Sequence, residues 1–229
     1  MKRLFLSVLV IVILTSAVFS SGSDSHAYYA ANRNAGKVVA LTFDDGPHPV
    51  YTPQILDILN KHGAKATFFV IGKNAQEYPE IVKRAFDEGH EIGNHTYSHP
   101  DMSAIDRKKA AEEIEKTALT IENITGKKSV LFRSPGGYLD DGLISTAHEF
   151  ECTPVLWSWR QDTRDWAKPS VEYVVKTVLD NLRDGDIILF HDFNTKGSPT
   201  PAALEIIIPE LKKRGYELVT VSSLMCCNN

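Results

Sequence analysis

The chain has 229 residues, 43% hydrophobic and 24% charged, the makeup of one globular domain with a sizeable core. Its formal net charge of −4 argues against a nucleic-acid partner, which normally demands a basic excess or stripe.

Met1-Lys2-Arg3 leads into an apolar run from Leu4 to Phe19, followed by small and polar residues up to Ser25-His26-Ala27, the pattern of a secretory signal peptide. The run is 16 residues long, short of the roughly 20 that span a bilayer comfortably, so cleavage after Ala27 is expected, with an uncleaved anchor as the alternative. Cleavage removes Lys2, Arg3 and Asp24 and takes the formal charge from −4 to −5. Residues 28–36 read as a short linker and 37–229 as one domain. The protein is expected to be secreted or held at the cell surface or wall, touching a membrane only through an uncleaved N-terminal segment.

Beyond residue 36, short β-branched or aromatic runs alternate with helical patterns that close on glycine. The predicted strands are 37–43, 65–71, 90–94, 129–133, 154–159, 186–191 and 217–221. Between them, Thr52-Pro53 opens a helix carrying Ile55, Leu56 and Leu59, with Gly63 beyond it. Val171, Val174, Val175, Val178 and Leu182 mark another after Pro169, stopped at Gly185. Thr200-Pro201 opens a last helix with Leu204, Ile207, Ile208 and Leu211, which Pro209 should kink or shorten. The alternation predicts a parallel α/β sheet, and a closed barrel is weakly favoured over an open one.

Chemistry-bearing residues fall at the carboxyl ends of these strands, where β/α folds gather their sites. Asp44-Asp45 follows the first, His95 and His99 the third, Arg133 ends the fourth, Asp162 follows the fifth and His191 ends the sixth. Two imidazoles and one carboxylate make a divalent-metal site with a position left open, and the second carboxylate is then available as a base. Such a set accepts Zn2+, Co2+, Ni2+, Mn2+ or Fe2+.

These blocks, Thr42 to Pro47, His95 to His99, Arg133-Ser134-Pro135-Gly136-Gly137, Asp162-Thr163-Arg164-Asp165-Trp166 and Leu189-Phe190-His191, resemble those of polysaccharide deacetylases of the NodB-homology type, carbohydrate esterase family 4, over about residues 36–224. The resemblance implies a distorted (β/α)7 barrel, an incomplete TIM barrel. It implies Asp44 as general base, Asp45, His95 and His99 as ligands to one divalent ion, usually zinc, and Gly136 N–H as oxyanion donor. Arg133 would orient Asp44, and His191 would protonate the leaving amine with Asp162 as its partner. Leu189 would border the acetyl methyl, and Trp166 and Pro135 the sugar groove. Where this chain has Gly136 the family commonly has an aromatic residue, so the loop gains freedom and the groove loses a wall.

The expected activity is therefore hydrolytic removal of N-acetyl groups from peptidoglycan N-acetylglucosamine or a chitin-type polysaccharide. An O-acetyl xylan esterase and a catalytically inactive carbohydrate-binding homologue are the alternatives, and a monomer is expected. His62, His90 and His148 need only surface roles, and His48 is indistinguishable from a loop histidine. Cys152, Cys226 and Cys227 leave one pair plus an odd thiol possible in an exported chain, and none lies in a motif.

Overall fold

A computed structural model of the chain describes residues 36–193 and 197–227. The predicted leader lies outside these residues, as does the linker apart from Gly36.

Among the described residues seven strands form: β1 (Val38–Asp44), β2 (Ala66–Val70), β3 (Glu91–Asn94), β4 (Leu131–Phe132), β5 (Thr153–Pro154), β6 (Ile187–His191) and β7 (Glu217–Leu218). Six lie in the order β5-β4-β3-β2-β1-β6, and β7 pairs with the start of β1, all in parallel. The chain leaving β5 does not continue as the strand expected over 154–159. It runs irregularly and then meets β6, with Ser158 N–H donating to Ile187 O, Leu189 N–H to Gln161 O and Thr163 N–H to Leu189 O. The result is the incomplete α/β barrel that the family resemblance implied.

The helices are α1 (Tyr51–Lys61), α2 (Gly72–Glu77), α3 (Pro79–Asp87), α4 (Arg107–Thr125), α5 (Asp141–Glu149), α6 (Val171–Asn181), α7 (Thr200–Lys213) and α8 (Val221–Cys226). Pro209 does not shorten α7, contrary to expectation. The carbonyl it leaves without a donor belongs to Glu205 on the exposed face, while Leu204, Ile207, Ile208 and Leu211 are fully buried on the other. Each such burial contributes about 1.5–3 kcal/mol, enough together to offset the roughly 3 kcal/mol cost of an internal proline.

Strand periodicity of two divides β1 between two cores. Val39, Leu41 and Phe43 join the helices outside the barrel, where Phe43 stacks on Phe68 and Phe190. Val38 and Ala40 face inward with Phe69, Leu131, Val155 and Ile187, and Val221 and Leu224 of α8 close the amino end of that inner core. Continuing the alternation, Thr42 and Asp44 are buried on the inner side at the carboxyl end, where the core turns polar.

Two side expectations need correction. His90 is buried rather than on the surface, because its Nδ1 accepts the Ala66 N–H between β2 and β3, and burial holds its pKa down to about 4. The three cysteines are unpaired, and Cys152 is buried with its thiol pushed up to about 11 by desolvation. Among the described residues no helix is long and apolar enough to cross a membrane.

Candidate active site

A cavity of about 380 Å3 opens at the carboxyl end of the barrel, lined among others by Asp44, Asp45, His95, His99, Gly136 and His191. Adjacent strand residues point to opposite faces, so two neighbouring carboxylates reach one cavity only if the chain turns between them. Asp45 makes that turn at φ 76, and Asn74 of α2 holds it by donating to the Asp45 carbonyl at 2.7 Å. The next residue must be glycine, because a Cβ on Gly46 would sit 2.1 Å from the Asp192 carboxylate.

Asp45 Oδ1 lies 3.4 Å from His95 Nε2 and 3.3 Å from His99 Nε2. It is buried with no hydrogen-bond donor, which leaves a carboxylate oxygen orphaned between two imidazole nitrogens. Ligands about 2.0–2.1 Å from a tetrahedral ion stand about 3.3 Å from one another, so these three atoms fit a single divalent cation. His95 Nδ1–H donates to the Arg133 carbonyl at 2.7 Å, which fixes the tautomer and aims Nε2 at Asp45. Electrostatics agree. Burial opposes the drop, yet His95 and its neighbours hold the Asp45 carboxyl down to about 2. Burial likewise works against charge on His95, but the Asp44 and Asp45 carboxylates raise its pKa overall.

Asp44 Oδ1 accepts from Arg133 Nη1 at 2.8 Å, and its Oδ2 stands 3.8 Å from His95 Nε2. Arg133 is wholly buried, and its remaining donors go to Thr42 Oγ1, Val155 O and Leu156 O, so the guanidinium is locked on all sides.

His191 Nδ1–H donates to Asp165 Oδ1 at 2.8 Å, leaving Nε2 for the cavity. The partner is thus Asp165 and not Asp162. Arg164 adopts φ 50 and starts a 3-10 turn over Asp165–Ala167 that tucks Asp165 under His191, where it also accepts the His191 N–H and the Thr200 hydroxyl. Asp162 stays at the cavity wall and accepts from the Arg164 N–H of its own loop. Burial opposes charge on His191, but Asp165 outweighs it and lifts the imidazole from 6.5 to about 9. Asp192 points elsewhere, accepting from the Thr52 hydroxyl at 2.6 Å, with burial raising it to about 7.

Leu189 and the half-exposed Trp166 line the cavity. Pro135 does not. It is buried at the start of a 3-10 turn, and the wall beside it is made by Gly136 and by Trp157, which sequence reasoning passed over. Gly136 has φ 63, and a Cβ placed there would meet nothing within 4 Å, so the groove is open at that point. Asp165 was in view as the second acid of the Asp162–Trp166 block, but nothing in spacing says which of the two turns inward. His48, which sequence left undefined, accepts the Val50 and Tyr51 N–H groups through Nδ1 at the start of α1.

The model of the family described as polysaccharide deacetylase matches residues 31–155. A peptidoglycan-N-acetylglucosamine deacetylase of Bacillus cereus is 50% identical over 84% of this chain and 90% of its own length. A chitooligosaccharide deacetylase of Sinorhizobium fredii is 40% identical over 78% of this chain and 87% of its own. Among solved structures, a carbohydrate esterase family 4 pseudoenzyme from Bacillus anthracis superposes with a TM-score of 0.81 at 31% identity, over 88% of this chain and 69% of that one. A mutant of that protein has restored enzymatic activity. This chain belongs to the polysaccharide deacetylase family, carbohydrate esterase family 4.

Proposed function

We propose that the chain is a metal-dependent hydrolase that removes the acetyl group from N-acetylglucosamine units of peptidoglycan, releasing acetate and leaving a free amine. The observation that carries this is the meeting, in one cavity, of a three-atom cation site, a second carboxylate and an imidazole hydrogen-bonded to a buried carboxylate. Asp45, His95 and His99 would hold the ion, for which zinc suits the mixed nitrogen and oxygen donors. When bound, the ion supplies Lewis acidity, acidifying water at the site and polarising the acetyl carbonyl.

The chain's own groups do the rest. Asp44, oriented by Arg133, takes the proton from the attacking water. The Gly136 N–H donates to the oxyanion of the tetrahedral intermediate, a contribution on the order of 3 kcal/mol. His191 delivers a proton through Nε2 to the nitrogen as the carbon–nitrogen bond breaks, and Asp165 keeps that proton on the ring at neutral pH. Leu189 borders the acetyl methyl, while Trp166 and Trp157 wall the sugar groove.

Peptidoglycan ranks before chitooligosaccharide on the identities of the two relatives. The N-terminal segment fits that substrate as an export signal that delivers a monomeric enzyme to the cell wall. The test measures acetate released from peptidoglycan, chitooligosaccharide and acetylated xylan by one purified sample. Release from the N-acetylated polymers is expected. Silence on both overturns the proposal, and activity on xylan alone makes the chain an O-acetyl esterase.

A further inference from the structure

The loop that carries both histidine ligands is strained. Thr96 and His99 both lie at positive φ, 65 and 55, a conformation that costs a non-glycine residue about 1–3 kcal/mol and persists only where surroundings impose it. On one side α2 supplies part of that constraint, since Gly72 N–H donates to Thr96 O and Lys73 N–H to Tyr97 O, each at 2.9 Å. The loop's own donors turn the other way, toward α4. Glu113 Oε2 accepts the Tyr97 N–H at 2.9 Å and the Ser98 N–H at 2.7 Å, and Glu113 Oε1 accepts the Ser98 hydroxyl at 3.0 Å.

Glu113 occupies the buried face of α4 with Ala110, Ile114, Thr117 and Ile121, and only 4% of it is exposed. A carboxylate is costly there unless donors meet it, and Lys109 at 3.6 Å is largely in solvent. The donors that do meet it are the Tyr97 and Ser98 N–H groups and the Ser98 hydroxyl, all lying between His95 and His99.

We propose that Glu113 is a positioning residue for the metal centre, which presets the 95–99 turn so that both imidazoles face Asp45 Oδ1 before an ion arrives. The inference rests on the metal reading given above. With Glu113 in place the strained turn is imposed by folding. Without it the turn relaxes, and a binding ion must re-form it at the expense of affinity. The carboxylate is fully used on the loop and is not itself a ligand.

The test is the affinity of the full chain for Zn2+, measured by competition with a chelating indicator, together with the visible spectrum of the Co2+-loaded protein. Glu113→Ala is expected to weaken Zn2+ binding by about 10–100-fold, as loss of groups behind metal ligands typically does, and to alter the Co2+ spectrum. Glu113→Gln retains an oxygen that can take both N–H groups and should stay within a few-fold of wild type. Glu91→Ala serves as control, because Glu91 takes the Ser222 N–H and the Thr67 hydroxyl at the amino end of the barrel. It should lower the unfolding midpoint and leave Zn2+ affinity alone. Unchanged affinity in folded Glu113→Ala, or an equal loss in Glu91→Ala, overturns the proposal. A wild-type chain that holds no Zn2+ overturns the metal reading itself, and this inference with it.

Discussion

Asp44 and His191 each sit in a charge pair closed at 2.8 Å, the first with Arg133 and the second with Asp165. The Arg133 side is sealed, with neither partner more than 4% exposed, and its guanidinium also ties β1 to the chain leaving β5. The His191 side is looser, with 13% of the imidazole open to the cavity and a partner drawn from a 3-10 turn. One pair fixes a direction for a base through a cation that does not titrate in the working range. The other sets the protonation of an acid through a group that does. A base needs placement above all, and an acid needs a proton, so a rigid pair serves one role and a titratable pair the other.

The comparison breaks most visibly at Asp44. Asp44→Asn keeps the shape but removes the proton acceptor, and kcat for acetate release should fall by about 10²–10⁴-fold with zinc content unchanged. Arg133→Ala should act on the fold as well as on the rate, because it leaves the Asp44 carboxylate buried without its cation; urea unfolding should show a loss of about 3–5 kcal/mol.

At His191 the effect is on pH. With the imidazole raised from 6.5 to about 9, activity should decline as pH climbs through about 9. Asp165→Asn should draw that alkaline limb downward, whereas Asp162→Asn should leave it in place. A limb that moves with Asp162 instead would reverse the assignment of the two acids. The same pair contributes to stability, and the sign follows from a pKa raised on folding: the contribution is fully present below about pH 6.5 and disappears as pH rises through about 9, which unfolding midpoints across that range would record.

The smallest effect belongs to the groove. Trp166 is 56% exposed, so Trp166→Ala should change stability by no more than about 0.5 kcal/mol. It should raise KM by several-fold with little change in kcat, as loss of a stacking surface worth about 1 kcal/mol implies.

Much of this was legible in the sequence. Apolar strand runs located six of the seven strands of the described residues and touched the fifth only at Pro154, and the residues at their carboxyl ends named most of the cavity. Three kinds of feature were not legible. Pro209 misled because a local rule ignores which carbonyl the proline strands, and here it strands one on the exposed face. Asp162, Asp165 and Pro135 misled because their roles turn on one backbone angle, the positive φ of Arg164, and on a 3-10 turn that buries Pro135, neither of which composition encodes. Glu113 lies on the buried face of a helix, where spacing marks an inward position but not the partner that waits there, and His90 lies just before β3, where no periodicity marks it at all.

The account depends on Asp45, His95 and His99 sharing one cation. Elemental analysis of protein purified without added metal, then dialysed against one equivalent of Zn2+ per chain, measures this directly. Wild type should hold one ion per chain, and His95→Ala combined with His99→Ala should hold none while remaining folded. A doubly substituted protein that still carries a full equivalent would contradict the account, because the ion would then sit somewhere other than on these three side chains.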